Sequence, residues 1–167
     1  YEPWALNGMK VHGELFGLPE SGGVVGLYYN KAQITTPPAT TEALHDLLAL
    51  DGKSLTAVGD YVGSYYFYGF WNAFGGQLMT DEKLCVADQA GVDSAMSYLY
   101  SLSETGNATL LESHDGALER FKTGTSDMLI NGQWALPELQ GALESNLDVV
   151  PLPSGPSGVS MPMTGLN

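Results

Sequence analysis

Basic residues are scarce in this sequence. Its 167 residues include 6 Lys and Arg against 19 Asp and Glu, which gives a formal net charge of −13 at pH 7. A protein that binds nucleic acid needs clustered Lys and Arg to neutralise phosphates, and binding to an anionic membrane surface depends on similar clusters. We therefore expect no nucleic-acid partner and no anionic-lipid partner, and we attribute the acidic balance to solubility.

Cysteine and long apolar runs are lacking too. Cys85 is the single cysteine, so a disulfide within this chain is excluded, and no Cys or His spacing typical of a zinc site occurs. No run of about 18 apolar residues is present, so the sequence predicts no transmembrane helix. It opens on Tyr1 with neither an amino-terminal Met nor a signal sequence, and we expect it to be part of a longer chain.

Signatures of catalysis are missing as well. The sequence contains no P-loop, no G-x-G-x-x-G, no HExxH and no G-x-S-x-G pattern. A glycosidase needs two carboxylates that flank a bond, but Glu112, Asp115 and Glu119 fall on what the pattern predicts to be solvated helix faces. Ser113, His114 and Asp115 are adjacent in sequence, whereas the members of a catalytic triad meet through the fold. We therefore expect a protein that is not an enzyme and has no cofactor and no metal site.

Apolar strands and amphipathic helices alternate along the chain, which predicts a layered α/β domain. Short apolar or β-branched runs predict strands at residues 11–17, 24–30, 54–59, 127–131 and 147–151. Apolar residues at three- and four-residue spacing predict helices at residues 41–50, 65–74, 91–103, 115–122 and 134–143. Thr40 or Thr41 is expected to cap the first of these helices and Asp88 to open the third, while Leu50 and Met96 are expected on core-facing sides. Residues 77–87 suggest a small hairpin.

Aromatic residues concentrate between Tyr61 and Phe74. An aromatic ring matches the C–H face of a sugar, while neighbouring polar groups bind the sugar hydroxyls. Tyr65 lies at the predicted start of a helix and is expected to reach a cleft, and Tyr66 and Tyr68 are further candidates. Helical spacing places the remaining aromatic residues of the predicted helix in the core, namely Phe67, Phe70, Trp71 and Phe74.

Residues 121–134, FKTGTSDMLINGQW, combine a helix end, a buried strand and an aromatic residue. Gly124 ends the helix, and the apolar run that follows is typical of a strand buried on both faces. Gly132 then turns the backbone and delivers Trp134 at the carboxyl end of the strand, where open α/β sheets bind ligands. Trp134 is therefore a candidate platform for a ligand, the alternative being a residue that packs into the core. The backbone of Asn131 and Gly132 is expected to line the same edge, the alternative for Asn131 being that it satisfies the turn.

Four motifs resemble those of one known family. F-x-x-G at residues 121–124, M-x-I-N-G-x-W at 128–134, L-Y-Y-N-K at 27–31 and G-G at 75–76 resemble the extracytoplasmic solute-binding proteins of ABC sugar importers, of the maltose-binding protein type (family 1). The resemblance covers nearly the whole chain. It implies an α/β fold, namely one lobe of a periplasmic-binding-protein-like protein of class II, with helices layered around a mixed, mostly parallel sheet.

The resemblance also implies how the chain is divided and what the whole protein does. Residues 1–23 would be the tail of a first lobe and a hinge strand, residues 24–163 the second lobe, and residues 164–167 the start of a return hinge. The protein would bind a mono- or oligosaccharide in the cleft between its lobes and deliver it to the permease subunits of an ABC transporter in the membrane. On this basis we expect a monomer in an extracytoplasmic location, either periplasmic or as a cell-surface lipoprotein.

The resemblance assigns sugar-binding roles to particular residues. Trp134 and Tyr65 fall on positions that stack on sugar in the family. Gly23 stands where the family has a Glu that contacts the ligand, so we expect Glu20 or Ser21 to supply a hydroxyl partner instead. A glycine beside a hinge also serves backbone flexibility, which is the alternative role of this segment.

Other ligands are alternatives to a maltodextrin. Gly63 stands where the family has an acidic ligand contact, which argues against maltodextrin itself. Adjacent tyrosines such as Tyr65 and Tyr66 act as phenolate ligands in ferric-ion-binding proteins of the same superfamily. A binding protein for another solute is therefore one alternative, the solute being ferric ion, a polyamine or a peptide. A carbohydrate-recognition module of an enzyme, outside transport, is the other.

Overall fold

The computed structural model describes residues 2–59, 63–77, 79–80, 83–84, 89–161 and 165–166. Tyr61, Cys85 and Asp88 lie outside the described residues, as does the expected domain boundary at residues 163–164. Within the described ranges, no helix combines the length and the apolar character needed to cross a membrane.

Helices and strands alternate over most of the chain. The first elements are α1 (Pro3–Gly8), β1 (Lys10–Val11), β2 (Glu14–Leu15), β3 (Gly22–Gly23) and β4 (Val25–Asn30). They are followed by α2 (Thr41–Ala49), β5 (Leu55–Val58), α3 (Gly63–Ala73), β6 (Met79–Thr80) and β7 (Lys83–Leu84). The last are α4 (Gln89–Glu104), β8 (Ala108–Glu112), α5 (His114–Lys122), β9 (Met128–Gly132), α6 (Leu136–Leu143), β10 (Leu147–Val150) and β11 (Gly165–Leu166). Short 3-10 turns, Gln133–Ala135 and Glu144–Asn146, flank α6.

One mixed sheet of five strands forms the centre of the fold, in the order β10-β4-β9-β5-β8. β5 pairs parallel with both β9 and β8, whereas β4 pairs antiparallel with both β9 and β10. β4 therefore runs opposite to its four companions, which share one direction. The predicted α/β class and its mixed, mostly parallel sheet are confirmed.

The core lies on both faces of β9. All residues of β9 are buried, as expected for a strand covered on two sides. α3 packs against α4, α5 packs against α6, and both α3 and α5 contact β5 and β9. Phe70 of α3, Phe121 of α5 and Ile130 of β9 are among the fully buried side chains. Burial of these apolar side chains is the main force that holds the layers together.

The prediction of a single strand at residues 11–17 is wrong. A hairpin of β1 and β2 takes its place, with Lys10 paired to Leu15. His12 and Gly13 form the two-residue turn, with φ of 50° and 85°. Positive φ at both turn residues matches the twist of a tight hairpin, and Asn-Gly or Asp-Gly is the usual signal for it. His-Gly is not such a signal, so the sequence reads as one longer strand.

β8 has no counterpart among the predicted strands. It forms one edge of the sheet beside β5, and its residues show no alternation of buried and exposed positions. Glu112, expected on a helix face, is the last residue of β8. The following helix begins one residue earlier than expected, because the Ser113 hydroxyl caps it by accepting a hydrogen bond from Gly116 N–H at 3.1 Å.

Two apolar residues expected on core-facing sides are exposed. Leu50 is 77% exposed because it lies just past the last residue of α2, and Met96 of α4 is 52% exposed. The expected cap of α2 is confirmed for Thr40, whose hydroxyl accepts a hydrogen bond from Ala43 N–H at 3.1 Å. The small hairpin is confirmed as well, since β6 and β7 pair antiparallel.

The segments expected to act as hinges lie side by side. β3 and β11 form a two-stranded antiparallel sheet, with Gly165 opposite Gly23 and Leu166 opposite Gly22. These strands are separated by more than 140 positions in sequence, and they meet at the end of β9, where the candidate site lies.

Candidate functional site

The strands that share a direction bring their ends to one edge of the sheet. β5, β8 and β9 end at Val58, Glu112 and Gly132, and their carboxyl ends lie along the same edge. Such edges are where open α/β sheets bind ligands. β9 leads at this edge into the 3-10 turn Gln133–Ala135, which carries the tryptophan of the I-N-G-x-W motif.

Three aromatic residues meet at this edge, and we call them the aromatic cluster: Tyr65, Tyr66 and Trp134. The ring centroids of Tyr65 and Trp134 are 6.0 Å apart, with an angle of 38° between the ring planes. Tyr66 meets the other two rings edge-on, at 5.7 Å from Tyr65 and 6.2 Å from Trp134. Tilted and edge-to-face pairs at these separations are favourable, so each ring helps to orient the other two.

The aromatic cluster has a buried base and an open face. Tyr66 is 5% exposed, whereas Trp134 is 43% exposed, and Tyr65 is half-buried. A tryptophan that belonged to the core would be enclosed as Phe70 is, at 0% exposure. Trp134 is therefore not enclosed as Phe70 is, and part of its indole is accessible at the edge of the sheet; its role as a platform stays a prediction.

Gly132 allows the indole of Trp134 to lie against the backbone. A Cβ atom at Gly132 would come within 2.2 Å of the indole Cη2, far inside van der Waals contact. The φ of Gly132 is −87°, so close approach, and not backbone conformation, requires the glycine. Its carbonyl accepts a hydrogen bond from Tyr28 O–H at 3.0 Å. Burial raises the pKa of Tyr28, which keeps the phenol protonated as a donor.

Asn131 supports the turn from within the protein. It is 0% exposed, and its Oδ1 accepts a hydrogen bond from Gly132 N–H at 2.8 Å, which is the turn role that the sequence suggested. Its Nδ2 is buried, and no partner for it is found in the described part of the chain. Asn131 and Gly132 therefore hold the platform from beneath, and a direct contact of either with a ligand stays a prediction.

Gln133 is a site residue that the sequence did not reveal. Its Oε1 accepts a hydrogen bond from Val24 N–H at 2.7 Å, and its Nε2 donates one to the Gly22 carbonyl at 3.0 Å. Its backbone N–H donates to the Val24 carbonyl at 3.2 Å. Gln133 occupies the unspecified position of I-N-G-x-W, and no periodicity marks a side chain whose partners are distant backbone groups.

Strand β3 borders the aromatic cluster. A Cβ atom at Gly23 would lie 3.4 Å from Tyr65 Oη and 3.6 Å from Trp134 Cζ3. Glu20 and Ser21 precede this strand and are exposed. Among the described residues, neither side chain is hydrogen-bonded to the aromatic cluster. The structure thus places Glu20 and Ser21 on the segment that reaches the cluster, and their contact with a ligand stays a prediction.

Tyr68 lies apart from the aromatic cluster. Its ring contacts that of Trp71, with centroids 5.4 Å apart. The aromatic residues expected in the core do pack there: Phe67 and Phe70 are buried, and Trp71 and Phe74 are partly buried against them. Over the described ranges, no group of three or more His, Cys, Asp or Glu is arranged to hold a metal ion.

Comparison with known proteins connects this geometry to a family. Residues 1–166 match the family described as bacterial extracellular solute-binding protein. The chain belongs to this family. The maltodextrin-binding protein MdxE of Bacillus subtilis (strain 168) is 26% identical to it over 166 residues, a match that covers 90% of the chain and 40% of the relative. The chain thus spans about two fifths of the length of this curated relative.

Membership in the solute-binding family confirms the resemblance drawn from the sequence motifs. A solute-binding protein holds its ligand without transforming it, so membership indicates a binding protein and not an enzyme. The family is extracellular by description, which agrees with the expected extracytoplasmic location. In this solute-binding protein, the sheet edge that carries the aromatic cluster is the candidate site for the solute.

Proposed function

We propose that this chain forms the second lobe of a carbohydrate-binding receptor that serves an ABC importer. The whole protein binds a mono- or oligosaccharide in a cleft between two lobes and delivers it to permease subunits in the membrane. It works as a monomer in the periplasm or as a lipoprotein at the cell surface. Support comes from membership in the solute-binding family and from a relative named for maltodextrin binding.

The observation that carries this proposal is the open face of the aromatic cluster. Trp134 keeps 43% of its surface exposed, while ring contacts with Tyr65 and Tyr66 fix its orientation. An exposed flat ring beside a tyrosine hydroxyl suits a sugar, which has an apolar C–H face and a rim of hydroxyls. Because the ring is already oriented, little conformational freedom is lost when a ligand stacks on it.

The other predicted site residues receive supporting roles. Glu20 and Ser21, exposed ahead of β3, bind sugar hydroxyls that extend beyond the platform. Tyr68 lies outside the aromatic cluster and contacts the more distant part of a longer ligand. Gly132 and Asn131 hold the indole in place from beneath.

The pairing of β3 with β11 supports the proposed division of the chain. Residues 1–23 end on β3, residues 164–167 contain β11, and the two strands pair antiparallel. Two connecting segments that run side by side provide an axis about which lobes can rotate. Residues 24–163 then form the second lobe, which contains the five-stranded sheet.

Isothermal titration calorimetry of the full-length protein tests the proposal. The panel comprises monosaccharides, maltodextrins of increasing length, other oligosaccharides, spermidine, a peptide mixture and ferric citrate. We expect binding of carbohydrate alone, with an affinity that changes little with salt because the ligand is neutral. A polyamine would bind this acidic chain more weakly as salt is raised. Binding confined to peptide, polyamine or ferric ion would contradict the proposal.

Analysis of the sugar after incubation separates the receptor from an enzyme module. We expect chromatography to recover the bound carbohydrate unchanged. Release of a hydrolysis product that is absent from a heat-inactivated control would show that the protein is a recognition module of an enzyme.

A further inference from the structure

We infer that Gln133 is a positioning residue that clamps the connecting strand β3 to the turn carrying Trp134, so that the hinge and the ligand platform move as one unit. The inference rests on the proposed function, since it assigns to Gln133 the coupling between hinge and site.

The clamp consists of three hydrogen bonds from one residue. The Gln133 side chain accepts from Val24 N–H at 2.7 Å and donates to the Gly22 carbonyl at 3.0 Å. The Gln133 backbone N–H donates to the Val24 carbonyl at 3.2 Å. Both amide atoms of the side chain and both backbone polar groups of Val24 are therefore engaged. A side chain held at two points has one orientation, whereas a single bond would leave it free to rotate.

β3 needs such a clamp because it has no side chains of its own. It consists of Gly22 and Gly23, and glycine has the greatest backbone freedom of any residue. Hydrogen bonds alone therefore set its position. β11 supplies them along one side of the strand, and Gln133 fastens the strand to the sheet edge at its carboxyl end.

The same clamp brings β3 against the rings of the site. A Cβ atom at Gly23 would lie 3.4 Å from Tyr65 Oη and 3.6 Å from Trp134 Cζ3. Gln133 and Trp134 are consecutive residues of one 3-10 turn. Rotation of β3 during lobe closure therefore pulls on Gln133 and shifts the turn that carries the indole. In the opposite direction, a ligand stacked on Trp134 resists that rotation.

Two substitutions in the full-length protein test the clamp. Gln133→Met keeps the length of the side chain and removes both side-chain hydrogen bonds. Gln133→Glu keeps the acceptor for Val24 N–H and loses the donor to Gly22. The matched control is Gln140→Met, at an exposed position of α6.

Hydrogen exchange of the Val24 amide in the ligand-free protein is the first readout. We expect exchange to accelerate about fivefold or more in Gln133→Met, the equivalent of one lost hydrogen bond, and to stay near the wild-type rate in Gln133→Glu and Gln140→Met. If Gln133 acted only by packing, Gln133→Glu would not be expected to retain the slow exchange of the Val24 amide. Unchanged exchange in Gln133→Met would overturn the clamp.

The second readout is the fluorine NMR resonance of Trp134 in protein labelled with 5-fluorotryptophan, assigned with Trp134→Phe. We expect it to shift or broaden in Gln133→Met and to stay in place in Gln140→Met. A faster Val24 exchange with an unmoved Trp134 resonance would overturn the coupling. Neither readout needs a ligand, so the two tests are independent. If the wild-type protein bound no carbohydrate, the proposed function would be contradicted, but the two readouts would still decide whether Gln133 acts as a clamp.

Discussion

Trp134 is the residue whose removal best separates binding from folding. The residue is 43% exposed and packs against Tyr65 and Tyr66, so truncation removes buried ring contacts together with the whole proposed platform. We expect Trp134→Ala in the full-length protein to weaken carbohydrate affinity by about thirtyfold or more, the loss typical of a central aromatic contact. The protein should still fold, with a melting temperature lowered by several degrees, as for a loss of about 2–3 kcal/mol from the buried part of the indole. Calorimetry and thermal unfolding measure the two effects.

The control for this substitution is Tyr100→Ala. Tyr100 is 66% exposed and lies on α4, away from the edge that carries Trp134. Tyr100→Ala should leave affinity unchanged, and it should cost less stability than Trp134→Ala because Tyr100 is more exposed. A Trp134→Ala protein that fails to fold would show that the indole is structural, and one that binds sugar normally would remove it from the site.

Gly132 offers a second test of the site. Gly132→Ala places a methyl group 2.2 Å from Trp134 Cη2, so the indole must leave its position. Overpacking of this kind typically costs about 1–3 kcal/mol of stability. In the Trp134→Ala background the clash disappears, and the same substitution should cost much less. Denaturant unfolding of the two single variants and the double variant measures this coupling. Additive costs would show that the indole and Gly132 do not meet as described.

Residue roles could be predicted where a motif fixes them. The sequence correctly predicted that Trp134 follows a buried strand and that Asn131 serves the turn, because both lie in I-N-G-x-W, next to a clear apolar run. It gave no sign of Gln133, whose partners lie 109 and 111 positions away and are backbone groups. Because backbone N–H and C=O groups are nearly the same in every residue, no residue type in the sequence marks them as partners of Gln133.

Among the strands of the sheet, the buried ones and the edge strand β10 were predicted correctly, whereas the edge strand β8 was not. β4, β5 and β9 are buried strands, and burial forces an apolar run that the sequence displays. β8 lies at the sheet edge and keeps Leu111 79% exposed, so neither continuous apolarity nor alternation marks it. The hairpin of β1 and β2 depends on positive φ at His12, which is uncommon for this residue type.

The attachment of edge strand β10 to β4 should depend on pH through Asp148. Its carboxylate accepts hydrogen bonds from Val149 N–H at 2.9 Å and Tyr29 O–H at 3.1 Å, and these bonds lower the pKa of Asp148. Because the pKa of Asp148 is lower in the folded than in the unfolded protein, the ionised carboxylate stabilises the fold at pH values above its unfolded-state pKa. This contribution is lost as the pH falls through its folded-state pKa. We expect a small effect, because the group is exposed to solvent.

Asp148→Asn measures this contribution. The variant should be slightly less stable than the wild type at pH 7, and the difference should shrink as the pH approaches 3. Urea unfolding at several pH values gives both curves, with Asp51→Asn, at an exposed position after α2, as the control. A difference that grows towards acid pH would show that Asp148 does not act through these hydrogen bonds.

In the whole protein, we expect the candidate site of this chain to form one wall of the proposed cleft. Trp134 of the aromatic cluster is 43% exposed, and Gly23 of β3, the strand that pairs with β11, lies against the cluster. A small-molecule site usually buries about 70–90% of its ligand, which an exposed ring on a sheet edge does not achieve alone. Closure of a second wall over the first would supply the missing contacts and exclude water.

The 167-residue chain by itself should therefore fold but bind carbohydrate weakly. Its five-stranded sheet has helices that pack together and contact β5 and β9, so its core does not depend on another lobe. If the full-length protein binds with a dissociation constant of about 1 μM, near −8 kcal/mol, loss of half of the contact free energy gives about 1 mM. Circular dichroism would establish folding, and titration calorimetry of the chain and of the full-length protein, with Trp134→Ala in each, would give the affinities. Equal affinity of the two proteins would mean that the complete site lies within these residues and that no second wall closes over Trp134.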